Sequence, residues 1–216
     1  MQAGVLAISL AALAVSLYGI VERQGASRRA ERLRFAGLVN ELNSLRLEHQ
    51  QPTTILDYGD AVDAVNARAE LLAVQAFLLR RKLHDIASPE YRTLAYALSR
   101  SGYPAEAERC WREALLATED EGPTQALFAR RGYAFFLFAA GRPEEAREQM
   151  RLGLKAIGSA DDTARIHQIR TYKYWAADEN GDRAAELRKQ AADAIDLLEN
   201  EHARRRMRAF LESTDG

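Results

Sequence analysis

Two turns of one design constrain this chain more than anything else in it. Gly102-Tyr103-Pro104-Ala105-Glu106-Ala107 is followed by Trp111 and Ala114, and Gly141-Arg142-Pro143-Glu144-Glu145-Ala146 by Met150 and Gly153. Glycine accepts the left-handed conformation beyond a helix end. Proline fits the first turn of the next helix, where its missing N–H is no loss. Each turn is therefore the corner of a helical hairpin. Ala107 and Ala146 let two helix backbones approach, and residues four and seven further on share their face. Trp111 with Ala114, and Met150 with Gly153, then alternate large and small against a partner helix. The facing stripes are Tyr91, Leu94, Ala95 and Leu98 in the first hairpin, and Arg130, Tyr133, Ala134 and Leu137 in the second.

This pattern resembles the tetratricopeptide repeat, which runs through a large residue, Leu-Gly, Tyr, then Ala, Phe, Ala and a closing Pro. The first unit matches at Tyr91, Leu94-Ala95, Leu98, Ala107, Trp111 and Ala114, with Ala95 in place of the Gly and Glu119 in place of the Pro. The second unit departs further, with Arg130 and Gly153 where bulk and Ala are usual, and a third turn follows at Asn180-Gly181-Asp182. The turn glycines stand about 40 residues apart, against about 34 in the family. Over roughly residues 88–200 the resemblance implies an all-α, right-handed α-solenoid of stacked hairpins, whose first helices line a concave surface. It places Arg92, Tyr96, Arg100, Arg131, Phe135, Phe138, Arg170 and Tyr174 on that surface as partner-binding residues. Arginine and aromatic side chains are the usual interface anchors. The alternative for Phe135 and Phe138 is core between repeats. Tyr96 and Gly132 stand where the family's carboxylate clamp has Asn, so capture of a chaperone-type C-terminus is not implied.

Ahead of the repeats, Ala3 to Val21 carries no charge. Nineteen helical residues span about 28 Å, close to the hydrocarbon thickness of a bilayer. Nothing before Ala3 is basic and no clear cleavage site follows Leu17, so residues 1–21 read as a retained transmembrane helix. Arg23, Arg28, Arg29, Arg32 and Arg34 follow at once, and basic flanks stay inside. The expected topology is single-pass, with the N-terminus outside and the C-terminal domain cytoplasmic. Residues 22–51 form a juxtamembrane helix, with Leu38, Leu42 and Leu45 on one face and Leu33 extending it. That face suits either a homo-oligomeric coiled coil through 26–50 or packing onto the domain. Residues 52–59 read as a linker, 60–212 as the repeat domain and 213–216 as a tail. Asp60 and Ser88 are the expected caps of the helices that follow them. One long final helix, about 183–211, carries Leu187, Ala191, Ile195 and Leu198, and closes the end of the stack.

Chemistry is sparse. One cysteine, Cys110, excludes an internal disulfide, and His49, His84, His167 and His202 fall on separate segments without a metal-ligand spacing. There is no phosphate loop and no nucleophile elbow. A net charge of -1 provides no field for nucleic acid. The expectation is a membrane-anchored adaptor or scaffold, not an enzyme, without cofactor or metal. It binds an acidic protein or peptide with apolar anchors, and the bilayer through residues 3–21. The rival readings are a secreted or periplasm-facing assembly factor, and a small-molecule sensor or enzyme with an interhelical pocket.

Overall fold

The structure, a computed structural model, describes the backbone of residues 2–49, 58–159 and 161–213, and the side chains of residues 22, 25–47, 63–159 and 161–213. Residues 52–57 of the expected linker 52–59, most of the tail, and the side chains of 3–21 lie outside the described residues, while 58 and 59 belong to the next helix. Among those described there are nine α-helices, one turn of 3-10 helix and no strand. The fold class is all-α. The chain divides into two compact units, residues 1–86 with 100–102, and residues 87–99 with 103–216.

The first unit is built on α1 (Gln2–His49) and α2 (Tyr58–Leu79), followed by the 3-10 turn Arg80–Lys82. Phe35, Val39, Leu42 and Leu45 are buried on α1, and Leu72, Ala73, Ala76 and Phe77 on α2. The two helices pack together through these stripes. They run antiparallel, since Glu41 pairs with Arg68 and Glu31 with Lys82, the latter at 3.1 Å. Leu33 does not join the stripe; it is 73% exposed. Tyr58 opens α2, two residues ahead of the expected cap.

The expected membrane topology is overturned here. Among the described residues no helix is long and apolar enough to cross a membrane. The uncharged run 3–21 is no element of its own. It is the head of α1, a single helix that continues through Glu22, Arg23, Arg28 and Arg29 to His49. Among the other helices only α2 exceeds a spanning length of about 20 residues. It carries Asp60, Asp63, Arg68 and Glu70. Among the described residues, then, no helix supports the expected single-pass topology with its N-terminus outside and a cytoplasmic C-terminal domain.

The second unit holds α3 (Ser88–Arg100), α4 (Pro104–Ala117), α5 (Pro123–Ala139), α6 (Pro143–Ile157), α7 (Asp162–Ala177), α8 (Gly181–Asp196) and α9 (Glu201–Glu212). Pairing is most extensive for α5 with α6 and α7 with α8, and each helix from α4 onward also touches the next. Gly102 and Gly141 close their helices at φ +82° and +72°. The Tyr103 amide donates back to the Leu98 carbonyl, and the Arg142 amide to that of Leu137, both at 2.9 Å. These are the six-to-one bonds of a glycine-terminated helix, and they turn the chain into the proline that starts the next one. Ala107, Trp111 and Ala114 on α4 are fully buried, as are Ala146 and Met150 on α6. At Gly153 an added Cβ would meet Leu127 Cδ1 at 3.1 Å, so α6 and α5 approach closely there.

Two local expectations change. Ser88 begins α3, yet its buried Oγ has no hydrogen-bond partner among the described residues. The helix start is held by carboxylates instead: Glu90 accepts from the Ala87 amide and Glu121 from the Ser88 amide. The long final helix is two helices. Asn200 Oδ1 accepts from the Ala203 amide at 3.0 Å and caps α9. Asp162, at the start of α7, accepts from the amides of Glu199 and Asn200 at 2.9 and 2.8 Å. Ile169, Ala191, Ala194, Ile195, Leu198 and Met207 then form one core across α7, α8 and α9.

Candidate functional site

Helical spacing assembles a row of cations and rings across the second unit. Residues 128, 131 and 135 recur at three and four on α5, and 167, 170, 171 and 174 do the same on α7, so each set shares one face. The Arg92 guanidinium on α3 lies 5.4 Å from the centre of the Phe128 ring. Arg131 lies 5.2 Å from Phe128 and 5.7 Å from Tyr174. Tyr174 meets Phe135 edge-on at 6.4 Å and Phe210 of α9 at 5.9 Å. Lys173 stands 4.2 Å over Phe210 and donates to the carbonyl and hydroxyl oxygens of Ser213, both at 2.9 Å. His167 completes the group, edge-to-face with Phe128 at 5.0 Å.

Arg131 is the centre of the row. Its Nη1 donates to Thr171 Oγ1 at 3.4 Å. It forms no ion pair with a carboxylate among the described residues. Burial pulls its proton affinity down; Tyr96 and Tyr174 oppose this, and the neighbouring Arg170 adds to it. Desolvating an unpaired ion costs several kcal/mol. A cation over a ring returns roughly 0.5–2 kcal/mol, so the two rings offset only part of it. His167 is held below the ordinary imidazole value by burial first, then by Arg131 and Arg170, with Asp161 opposing. Its buried Nδ1 has no hydrogen-bond partner among the described residues.

Four of the eight residues expected on the binding surface, Arg92, Arg131, Phe135 and Tyr174, lie in the row. Arg170 is half-buried beside it, and its charge acts on both Arg131 and His167. Tyr96 turns its ring edge to Trp111 at 4.8 Å, and so serves the seam between α3 and α4. Phe138 is half-buried and has no ring contact among the described residues, and Arg100 is exposed at the last residue of α3. Sequence reasoning missed Phe128, His167, Thr171, Lys173 and Phe210. A signal existed for two of them: Phe128 precedes Arg131 and Phe135 by three and seven residues, as His167 precedes Arg170 and Tyr174.

A concavity of about 570 Å³ lies among α6, α7 and α8, with Tyr172, Trp175, Leu154 and Leu187 in its walls. Its arginines are matched by carboxylates. Arg147 binds both oxygens of Glu179 at 2.7 Å and also pairs with Glu144, while Arg151 pairs with Glu148. Glu179, its side chain 3% exposed, is held below the usual carboxylate value by Arg147, against its own burial. Among the described residues no group of three or more His, Cys, Asp or Glu side chains is placed to hold a metal ion. Comparison of the chain with protein-family models, with curated protein sequences and with solved structures finds no match.

Proposed function

We propose that this chain is a binding module of the tetratricopeptide kind, an adaptor or scaffold. On this reading the stacked hairpins of the second unit form a solenoid, and the face shared by α3, α5 and α7 holds an acidic protein or peptide segment with apolar anchors. The observation that supports the reading best is Arg131, a half-buried guanidinium within reach of the Phe128 and Tyr174 rings with a single side-chain hydroxyl as acceptor. Arginine is always ionised and forked, so it takes carboxylates two bonds at a time and stacks on rings. Phe135, Tyr174 and Phe210 extend from it as an apolar surface for the anchors.

The test uses Arg131→Met, which keeps the length of the side chain and removes the charge. Arg131 is half-buried without a carboxylate partner among the described residues, so an apolar chain of the same length gives up only ring contacts and one long hydrogen bond. The variant should melt no lower than the parent, while its affinity for a fluorescent peptide of Glu and Phe residues falls at least tenfold in anisotropy titrations. Binding to the parent should also weaken with added salt, since exposed charges are screened over roughly 8–10 Å at physiological ionic strength. Unchanged peptide affinity in Arg131→Met, or parent binding indifferent to salt, would end this reading.

A further inference from the structure

Within the row, Arg131, Arg170 and His167 share one another's electrostatic reach across the facing surfaces of α5 and α7. Thr171 is fully buried, and its hydroxyl proton goes to the His167 carbonyl at 2.8 Å. Its oxygen lone pair therefore faces Arg131 and fixes one edge of the guanidinium. A guanidinium has five N–H donors, and among the described residues only Nη1 meets an acceptor, at 3.4 Å. The remaining donors meet no acceptor among the described residues, and the Phe128 and Tyr174 rings lie 5.2 and 5.7 Å from the guanidinium carbon.

His167 is the second observation. A protonated imidazole needs two acceptors, whereas a neutral ring can leave one nitrogen bare. The buried Nδ1 of His167 meets none among the described residues, so the arrangement without ligand suits the neutral ring with its proton on Nε2. The charged groups around it are Arg131 on α5, Arg170 on its own helix and Asp161 at the N-cap of that helix. Burial first, and then two cations against one carboxylate, keep the second proton out. Phe128, the ring in contact, carries no charge.

We propose that Arg131, Arg170 and His167 form an oxyanion subsite, and that filling it draws a proton onto His167. The proposal rests on the reading of this face as a binding surface and names what one part of that surface takes. The ligand group is a carboxylate or a phosphoryl group on the bound segment. An oxyanion beside the two guanidiniums reverses the field at the imidazole, and the proton then becomes favourable. By linkage the effect is reciprocal, so protonation of His167 strengthens anion binding. Affinity rises as pH falls through the histidine range, by at most about tenfold per pH unit for one coupled proton.

The experiment follows the histidine ring resonances of the full chain by NMR during pH titrations in chloride, acetate and sulfate at equal ionic strength. Acetate and sulfate both keep their charge between about pH 5.5 and 8, and they stand in for the carboxylate and phosphoryl sources. His167→Gln identifies the His167 signal among the four histidines. In chloride His167 should titrate below the ordinary imidazole value. The better-fitting anion should raise its midpoint, and Arg131→Met should abolish that rise while the rest of the spectrum stays folded. No rise with either anion, or an equal rise in Arg131→Met, overturns the proposal. A peptide arm keeps the two readings apart. If the acidic peptide binds with the same pH-independent affinity to parent and His167→Gln, the subsite is wrong and the groove stands. If the anions shift His167 but no acidic peptide binds, the groove is wrong and the subsite stands.

Discussion

Gly132→Ala should destabilise the second unit although it places a better helix former in the middle of α5. Alanine gains about 1 kcal/mol over glycine in a helix interior. The added Cβ, however, would lie 2.4 Å from Trp111 Cη2, 2.6 Å from Cζ3 and 2.9 Å from the Tyr96 hydroxyl. Carbon atoms rest at about 3.5–4.0 Å, so the overlap with the indole exceeds 1 Å. The indole has nowhere to retreat: Trp111 is fully buried, with the edge of Tyr96 against it. Overpacking of this kind costs about 1–3 kcal/mol, occasionally more, and here it falls on a rigid ring rather than a flexible chain end. A net loss of about 2 kcal/mol is expected after the helix gain, which lowers a urea midpoint by about 1 M.

Both tryptophans, Trp111 and Trp175, belong to the second unit, so intrinsic fluorescence during urea unfolding of the full chain reports that unit alone. Trp111→Phe withdraws the two clashing carbons. It sacrifices no hydrogen bond, because the indole Nε1 has no partner among the described residues. In that background Gly132→Ala should cost little or even stabilise, giving a coupling of about 2 kcal/mol in the double-mutant cycle. A Gly132→Ala protein as stable as its parent, or additivity with Trp111→Phe, would refute the close approach of α4 and α5 on which the reasoning depends.

Glu179→Gln should cost about 3 kcal/mol, as removal of one member of a buried pair does, because Arg147 loses its matched carboxylate while Trp175 Nε1 keeps an acceptor. Glu179 is depressed below 4.5 in the folded state, so the unfolded state takes up protons first as pH falls. Its contribution is complete above about that pH and lost below it, and the stability difference between parent and Glu179→Gln in urea should shrink accordingly. Asp162→Ala should release the turn that it holds between α8 and α9, seen as faster hydrogen exchange at the Glu199, Asn200 and Ala203 amides with α5 and α6 unchanged.

What the sequence disclosed was what is local in it. Gly102-Tyr103-Pro104 and Gly141-Arg142-Pro143 specify their corners by backbone conformation alone, and the large–small alternation on α4 and α6 follows from spacing. What it hid depends on residues far along the chain. The apolar period through Leu187, Ala191, Ile195 and Leu198 runs straight up to the break before α9, and the carboxylate that fixes the turn comes from Asp162 on another helix. Ser88 looked like a cap, but the partner of its amide is Glu121. At residues 3–21 an uncharged window says nothing of the charged helix that continues from it. In the row of cations and rings, Arg92, Arg131, Phe135 and Tyr174 were legible; Phe128 showed only its spacing from Arg131 and Phe135, and Phe210 was hidden because it comes from α9, far along the chain.

The chain treats its partly buried arginines in two ways, and the contrast separates stability from binding. Arg142 bonds Glu108 at 2.9 Å and Glu145 at 2.6 Å, and Arg147 takes both oxygens of Glu179. Glu108 also accepts from the Tyr133 hydroxyl at 2.8 Å, so each carboxylate ties three side chains from different elements together. Such clusters are complete as they stand, and loss of any member leaves a partner stranded. Arg131 has two rings at 5.2 and 5.7 Å, a hydroxyl at long range and a second arginine whose charge reaches it. For folding alone, methionine would serve there as well or better. On the reading proposed above, the acceptor missing from the protein is the group that a ligand brings. On that ground the two substitutions should part company: Arg147→Met should lower the midpoint of unfolding and leave acidic-peptide affinity alone, while Arg131→Met should do the reverse.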